Sequence, residues 1–519
     1  MGVRFLGALL FCLLLPLSVL ADDKPSAGGQ LTAHEEDRHP AASVPAAAGE
    51  ARLPAHVETH HVLQLGDKSL AYTATAETIP LTDGKGETTA AIFTTSYLAD
   101  RAAAARPVAF VFNGGPGAAS VFLHLGALGP QIVETPGNGA PPMAPVKLID
   151  NPNSWLGFTD LVFVDPVGTG FSRGKGKDEN PDKPFWNVRS DLNSLSQLAR
   201  LWLTRHDRWA SPVYLVGESY GGFRAAALSK TLADDVGIAV SGVVMVSPAL
   251  DTRILHPDVS NLMVSAFELP SYAAVAAALG GQARADHATA ERFALTDYLT
   301  GLSQLPNEPD AKDPFLARVA ALTGLPEDTV QRERGRVSSD AFARELRKGQ
   351  HQILSFYDAT VTRPTTGNPW DDHAGDLILD GATAAYTAAF DIYAPEALGY
   401  RTDLQYWALH HETAQQWNWE AADHGHGGLG LALASLQSAL LAHPQMKVLI
   451  ANGRYDLVTP YFASRWLVDQ LSLPDSVRKQ IAPRVYEGGH MMYMRPASRA
   501  ALAADAAALF AGRDAAAAE

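Results

Sequence analysis

The chain has 519 residues, 47% hydrophobic and 19% charged, and a net charge of −15. That length and balance suit a soluble globular protein with a large core, built as one big domain with an insertion or as two domains. The acidic excess is spread along the chain, which argues against nucleic acid or an anionic membrane as a partner.

Arg4 precedes an apolar run from Phe5 to Leu20, and Val19 and Ala21 occupy positions −3 and −1 of a cleavage point. This predicts a Sec-type signal peptide over residues 1–21; the run is short for a membrane span. The expectation is an exported protein, periplasmic or secreted, without stable membrane association after cleavage. The single cysteine, Cys12, lies in that run. The chain after cleavage then has no thiol, so serines, histidines and carboxylates must carry any chemistry. Residues 22–55 are Ala, Pro, Gly and charge without periodicity and read as a flexible linker.

From His60 the pattern changes. HHVLQLG, LAYTATAETIPL and AAIFTTSYL, separated by glycine-rich turns, predict successive antiparallel strands. Apolar runs then recur at wider spacing: Val108–Phe112, Leu161–Val164, Val213–Val216 and Gly242–Val246, with a helical stretch from Asn187 to His206 before the third. Strands alternating with helices imply an α/β class protein with a mostly parallel central sheet and helices on both faces. Residues 56–255 form the first part of this core. Residues 256–440 read as a helical, Ala-rich and aromatic insertion that caps the strand ends, with Tyr357, Trp370, Tyr406, Trp407, Trp417 and Trp419 among its rings. The strand pattern returns at Lys447–Ile450 and Arg484–Tyr486, with helices near Phe462–Leu471 and Ala497–Phe510, making 441–519 the second part of the core.

Gly217-Glu218-Ser219-Tyr220-Gly221 stands between the run Val213–Val216 and a helix read over Phe223–Leu232. Strand, G-x-S-x-G and helix together are the setting of a nucleophile elbow, a sharp turn that exposes the serine. A serine nucleophile needs a base, and the base an orienting carboxylate, arriving in this type of sheet in the order Ser, acid, His. Asp456 follows the strand ending at Ile450, and His490 is the only histidine after residue 443. Asn113-Gly114-Gly115-Pro116-Gly117 follows Val108–Phe112 and supplies candidate oxyanion donors. Pro116 has no N–H, so Gly114, Gly115 or Gly117 must donate, with the amide of Tyr220 as the second donor. His410-His411 and Asp423-His424-Gly425-His426 lack a third ligand at a known metal spacing and read as solvated loops.

The set NGGPG, DPVGTGFS (Asp165–Ser172), GESYGG (Gly217–Gly222), NGRYDLVTP (Asn452–Pro460) and GGHMMY (Gly488–Tyr493) resembles the serine carboxypeptidases, peptidase family S10, of the α/β-hydrolase fold, in a bacterial-type member. The resemblance runs over about 90–255 and 445–500. It implies Ser219, Asp456 and His490 as triad, Gly115 and Tyr220 as oxyanion donors, and Asn113 and Glu218 as holders of a peptide's terminal carboxylate. It implies no cofactor and no metal, and a peptide with a free C-terminus as substrate. Glu218 would share one proton with the substrate's carboxylate, so peptidase activity would favour acidic pH. The chain departs from the pattern at Val111, where the family carries Trp, at Ala127, where it carries Glu, and at Ala118, where it carries Cys. Half of the carboxylate-holding set is thereby absent. That leaves an esterase or acyltransferase using the same triad as the alternative.

Overall fold

Nine strands in one continuous path, plus a short tenth, form the central sheet of the computed structural model, counted among the described residues. The structure describes residues 56–513 apart from 101–105, 178, 256–259, 281–286, 305–312, 369–374 and 420–429. The expected signal peptide and linker lie outside the described residues, as do Trp370, Asp423, His424 and His426.

The strands in chain order are β1 (His56–Leu65), β2 (Lys68–Thr82), β3 (Thr88–Ala99) and β4 (Val108–Phe112), then a separate ribbon of β5 (Gln131–Val133) with β6 (Leu148–Asp150). There follow β7 (Asp160–Val164), the short β8 (Arg173–Gly174) beside β3, β9 (Val213–Glu218) and β10 (Val240–Val246). A second ribbon, β11 (Gln352–Leu354) with β12 (Thr362–Pro364), precedes β13 (Lys447–Gly453) and β14 (Ile481–Tyr486). The spatial order is β1-β2-β3-β7-β4-β9-β10-β13-β14. The first three strands pair antiparallel with one another, and β3 pairs antiparallel with β7. From β7 to β14 every pairing is parallel.

The burial of each strand follows its place. On β1, at the edge, exposed and half-buried residues alternate, the mark of a sheet wetted on one face. All residues of β4, β7 and β9 are buried, because helices cover both sides. One face packs against the helices Leu377–Glu396 and Pro496–Phe510. The other packs against Val188–Arg205, Tyr220–Val236 and Leu431–Ala442. A third cluster joins the helix Leu262–Leu279 and its neighbours to Tyr455, Leu457 and Tyr461–Ala463. Of the described residues in 256–440, then, those between 266 and 359 pack chiefly with one another, while later ones join the two faces of the sheet. Leu262–Leu279 is long and apolar enough to cross a membrane, but most of it is buried inside the protein.

Two differences from the sequence reading have plain causes. The ribbons β5/β6 and β11/β12 have strands of three residues, too short to show a period of two. The elbow helix starts at Tyr220 rather than Phe223, running through two glycines that propensity disfavours but close packing requires.

The topology also sets where a ligand can bind. From β4 the chain crosses to β7 on one side, then returns past β4 to β9 on the other. Connections leaving in opposite directions open a crevice at the C-terminal ends of neighbouring parallel strands. Asn113-Gly114-Gly115 leaves β4 at that crevice, and Ser219 follows β9 beside it.

Candidate active site

Ser219 has φ of 59°, a backbone conformation uncommon for a residue with a side chain. Its flanking glycines explain how the turn closes. A Cβ on Gly217 would lie 1.8 Å from the carbonyl oxygen of Gly221, and one on Gly221 would lie 2.5 Å from that of Phe112. The loop after β4 comes equally close: a Cβ on Gly114 would lie 2.5 Å from the Tyr220 nitrogen. Tyr220 opens its helix, so its N–H lacks a carbonyl one turn back and is available to a ligand.

Buried polar contacts fix the two loops against each other. Arg224, one turn into the elbow helix, donates Nη1 to the Asn113 carbonyl at 2.6 Å and Nε to Asp191 Oδ2 at 2.7 Å. Asp165, after β7, accepts from the Ser120 amide at 2.8 Å and its hydroxyl at 2.7 Å. The DPVGTGFS segment thus anchors the far end of the NGGPG loop.

Asp456 is fully buried. Its Oδ1 accepts from the amides of Val458 and Thr459 at 2.7 and 2.9 Å, and its Oδ2 faces His490 Nδ1 at 2.8 Å. The Thr459 hydroxyl donates to the same Oδ2 at 2.8 Å. With Nδ1–H held by a carboxylate, Nε2 is the nitrogen left to accept a proton. The His490 amide donates to the Tyr357 carbonyl at 2.5 Å, and the Tyr357 ring meets the imidazole edge-on at 5.1 Å. Burial works against a charged imidazole here, but the Asp456 carboxylate outweighs it and raises the His490 pKa above its ordinary value, with help from Glu218.

Glu218 is buried at the end of β9. Its Oε2 accepts from Asn113 Nδ2 at 2.8 Å and from the Tyr493 hydroxyl at 2.8 Å. Asn113 is itself oriented, its Oδ1 accepting from the Leu123 amide at 3.0 Å. Burial pushes the Glu218 carboxyl up to about 7, against the pull of His490 and of its two donors.

The structure brings the expected residues together with two qualifications. Asn113, Gly115, Glu218, Ser219 and His490 line one cleft, with Gly114 beside them. Asp456 stands behind His490, and Tyr220 contributes its amide from the helix start rather than a side chain to the cleft. Gly117 faces the His410 carbonyl instead. Among the described residues no hydrogen bond joins Ser219 to His490; such bonds are commonly loose before a ligand closes the site. The remaining wall is apolar, with Phe122, Leu379, Leu409 and Met491 prominent. Tyr406, Trp417 and Trp419 are core residues of the sheet faces, whereas Tyr357 does reach the cleft.

Sequence reasoning missed Tyr493, Thr459 and the Asp191–Arg224 pair. Tyr493 sat inside a quoted motif, but no local spacing shows that its hydroxyl meets a carboxyl 275 residues away. Thr459 had a signal in its place three residues after Asp456, the reach of a hydroxyl closing a turn onto its own loop.

Residues 82–265 match the family model for serine carboxypeptidases. A carboxypeptidase Y homolog of Arthroderma benhamiae is 30% identical over 145 residues, 27% of this chain and 26% of its own length. The pheromone-processing carboxypeptidase kex1 of Sclerotinia sclerotiorum is 33% identical over 129 residues, 23% of this chain and 17% of its own. Serine carboxypeptidase-like 9 of Arabidopsis thaliana is 31% identical over 127 residues, 24% and 26%. The chain thus spans about a quarter or less of the curated relatives it matches. These relatives are fungal and plant and do not bear out the bacterial-type expectation. The crystal structure of Kex1(Δ)p, a prohormone-processing carboxypeptidase from Saccharomyces cerevisiae, superimposes with a TM-score of 0.50 at 16% identity, covering 85% of this chain and 91% of its own. That likeness shows a shared fold, the α/β-hydrolase fold. The match to the family model is confined to residues 82–265, less than half of the chain, and makes that part similar to the serine carboxypeptidases.

Proposed function

We propose that this chain is an exported serine-type carboxypeptidase that removes C-terminal residues from peptides through Ser219, His490 and Asp456. The observation that carries the reading is the 2.8 Å contact between His490 and Asp456, at the edge of a cleft that Ser219 and Glu218 also line. The Ser219 oxygen attacks the scissile carbonyl carbon while His490 Nε2 takes its proton. The amides of Gly115 and Tyr220 stabilise the oxyanion that forms. The C–N bond breaks, the imidazolium returns its proton to the leaving amine, and an acyl-enzyme remains. Water, deprotonated by the same imidazole, attacks the ester and frees Ser219. Asp456 holds the ring and the charge it acquires. Asn113 and a protonated Glu218 receive the substrate's terminal carboxylate. Residues 256–440 act as the cap and supply Tyr357, Leu379 and Leu409 to the cleft wall.

The second reading is an esterase or acyltransferase. Val111 and Ala127 favour it, because neither side chain can bind a carboxylate. Three matched substrates separate the readings: a blocked peptide acid, its C-terminal amide, and a simple ester. A carboxypeptidase cleaves the acid in strong preference to the amide, and a mixed peptide digest loses single C-terminal residues. Equal rates on acid and amide, or activity on the ester alone, would defeat the first reading.

A further inference from the structure

Both donors that reach Glu218 fall on one oxygen. Asn113 Nδ2 and the Tyr493 hydroxyl each lie 2.8 Å from Oε2, and among the described residues none donates to Oε1. An oxygen that accepts two hydrogen bonds at that distance has no room for its own proton. A neutral Glu218 must therefore carry its proton on Oε1, the oxygen left to a ligand in the cleft that Glu218 lines. Asn113, oriented by the Leu123 amide at its Oδ1, fills one acceptor position of Oε2, and the Tyr493 hydroxyl fills the second. We propose that Tyr493 is a positioning residue for free C-terminus recognition: its hydroxyl pins Oε2 and thereby directs the Glu218 proton at the substrate's terminal carboxylate.

The setting of Tyr493 supports a built role. It lies on the short turn Met492–Met494, which begins two residues after His490, is fully buried, and crosses 275 residues of sequence to reach Glu218. Burial keeps this phenol un-ionised, so it retains the proton that it donates to Glu218 Oε2. Gly126 makes the space: a Cβ there would lie 2.8 Å from the Tyr493 ring and 2.7 Å from the Tyr386 hydroxyl. Tyr386 is buried and its hydroxyl has no hydrogen-bond partner among the described residues, which makes it a matched control. The ionisable groups facing Glu218 are His490 and Asp456 from the loops after β14 and β13, Tyr493 from its turn and Tyr386 from Leu377–Glu396. Arg499, on Pro496–Phe510, faces Tyr386 and donates to the Tyr493 carbonyl at 3.2 Å.

The inference rests on the carboxypeptidase reading, and its test keeps the two apart. The variants are Tyr493→Phe, Tyr386→Phe and Glu218→Gln, assayed on the peptide acid and on the ester across pH. Tyr493→Phe should raise KM for the acid about tenfold, the scale of one hydrogen bond to a charged group, with kcat on the ester unchanged. The alkaline limb of kcat/KM on the acid should move to higher pH, because the ionised Glu218 loses a donor. Tyr386→Phe should leave both values alone. In a Glu218→Gln background, Tyr493→Phe should add no further loss of the tenfold size. Ser219 labelling by a fluorophosphonate reports that each variant is folded. Should Tyr493→Phe not label, Tyr493→His keeps a ring donor on a smaller body and should hold KM within about threefold of the parent. A wild-type KM and an unmoved limb in Tyr493→Phe, or equal losses on acid and ester, overturn the proposal. If the wild type labels at Ser219 and cleaves the ester but not the acid, the carboxypeptidase reading itself is what fails.

Discussion

On the proposed reading, Glu218 and His490 pull the pH dependence in opposite directions. His490 must be neutral to take the Ser219 proton, and Asp456 raises its pKa, so activity falls as pH drops through that raised value. Glu218 must be protonated to receive a carboxylate, and burial lifts it to about 7, so binding of peptide acids weakens as pH rises past that point. A bell-shaped kcat/KM on the peptide acid is the expected outcome. Glu218→Gln should remove the alkaline limb and shift the acid limb to lower pH, because the Glu218 charge helps to raise His490. An alkaline limb that survives Glu218→Gln would assign it elsewhere. Ser219→Ala should abolish fluorophosphonate labelling and lower kcat by about 10⁶. Asp456→Asn should cost about 10⁴ in kcat by presenting the wrong tautomer of His490, while labelling becomes slow rather than absent.

At the scale of elements, the elbow helix and the loop after β4 are one unit held through Arg224. The pair Arg224–Asp191 is almost entirely shielded from water, and Arg224 also satisfies the Asn113 carbonyl. Asp191→Ala leaves a buried guanidinium unpaired and should destabilise the protein by about 3–5 kcal/mol, read as a fall in the denaturation midpoint. Gly217→Ala should be worse tolerated than Gly222→Ala, since the first meets backbone and the second chiefly the ring of Pro248. Comparing their expression and melting tests that order. The strands and the gathering of Ser219, His490 and Asp456 at one end of the sheet were legible in the sequence because each rests on a local signal: an apolar run, a glycine pair about a serine, an acid just past a strand. Arg224, Tyr493 and the packing of 378–408 on one sheet face, and of Trp417, Trp419 and 432–440 on the other, were not legible. Their meaning lies in contacts across hundreds of residues, to which spacing along the chain is blind.

Across the whole molecule, stability should decline from the parallel strands outward. β4, β9 and β10 have partners on both sides and helices on both faces, while alternate residues of β1 meet solvent. Native-state hydrogen exchange should therefore release β1 first and β9 among the last, by a route that does not require global unfolding. Equal protection of β1 and β9 would mean that the sheet opens as a single unit. The order of the parts along the chain has a further bearing. Ser219 lies just past β9, whereas Asp456, His490 and Tyr493 follow β13 and β14 at the far end of the parallel run. During synthesis Ser219 thus emerges from the ribosome long before His490, 271 positions later in the sequence. On the proposed reading nucleophile and base meet only once β13 and β14 have docked, so a chain cut short before them would be catalytically inert.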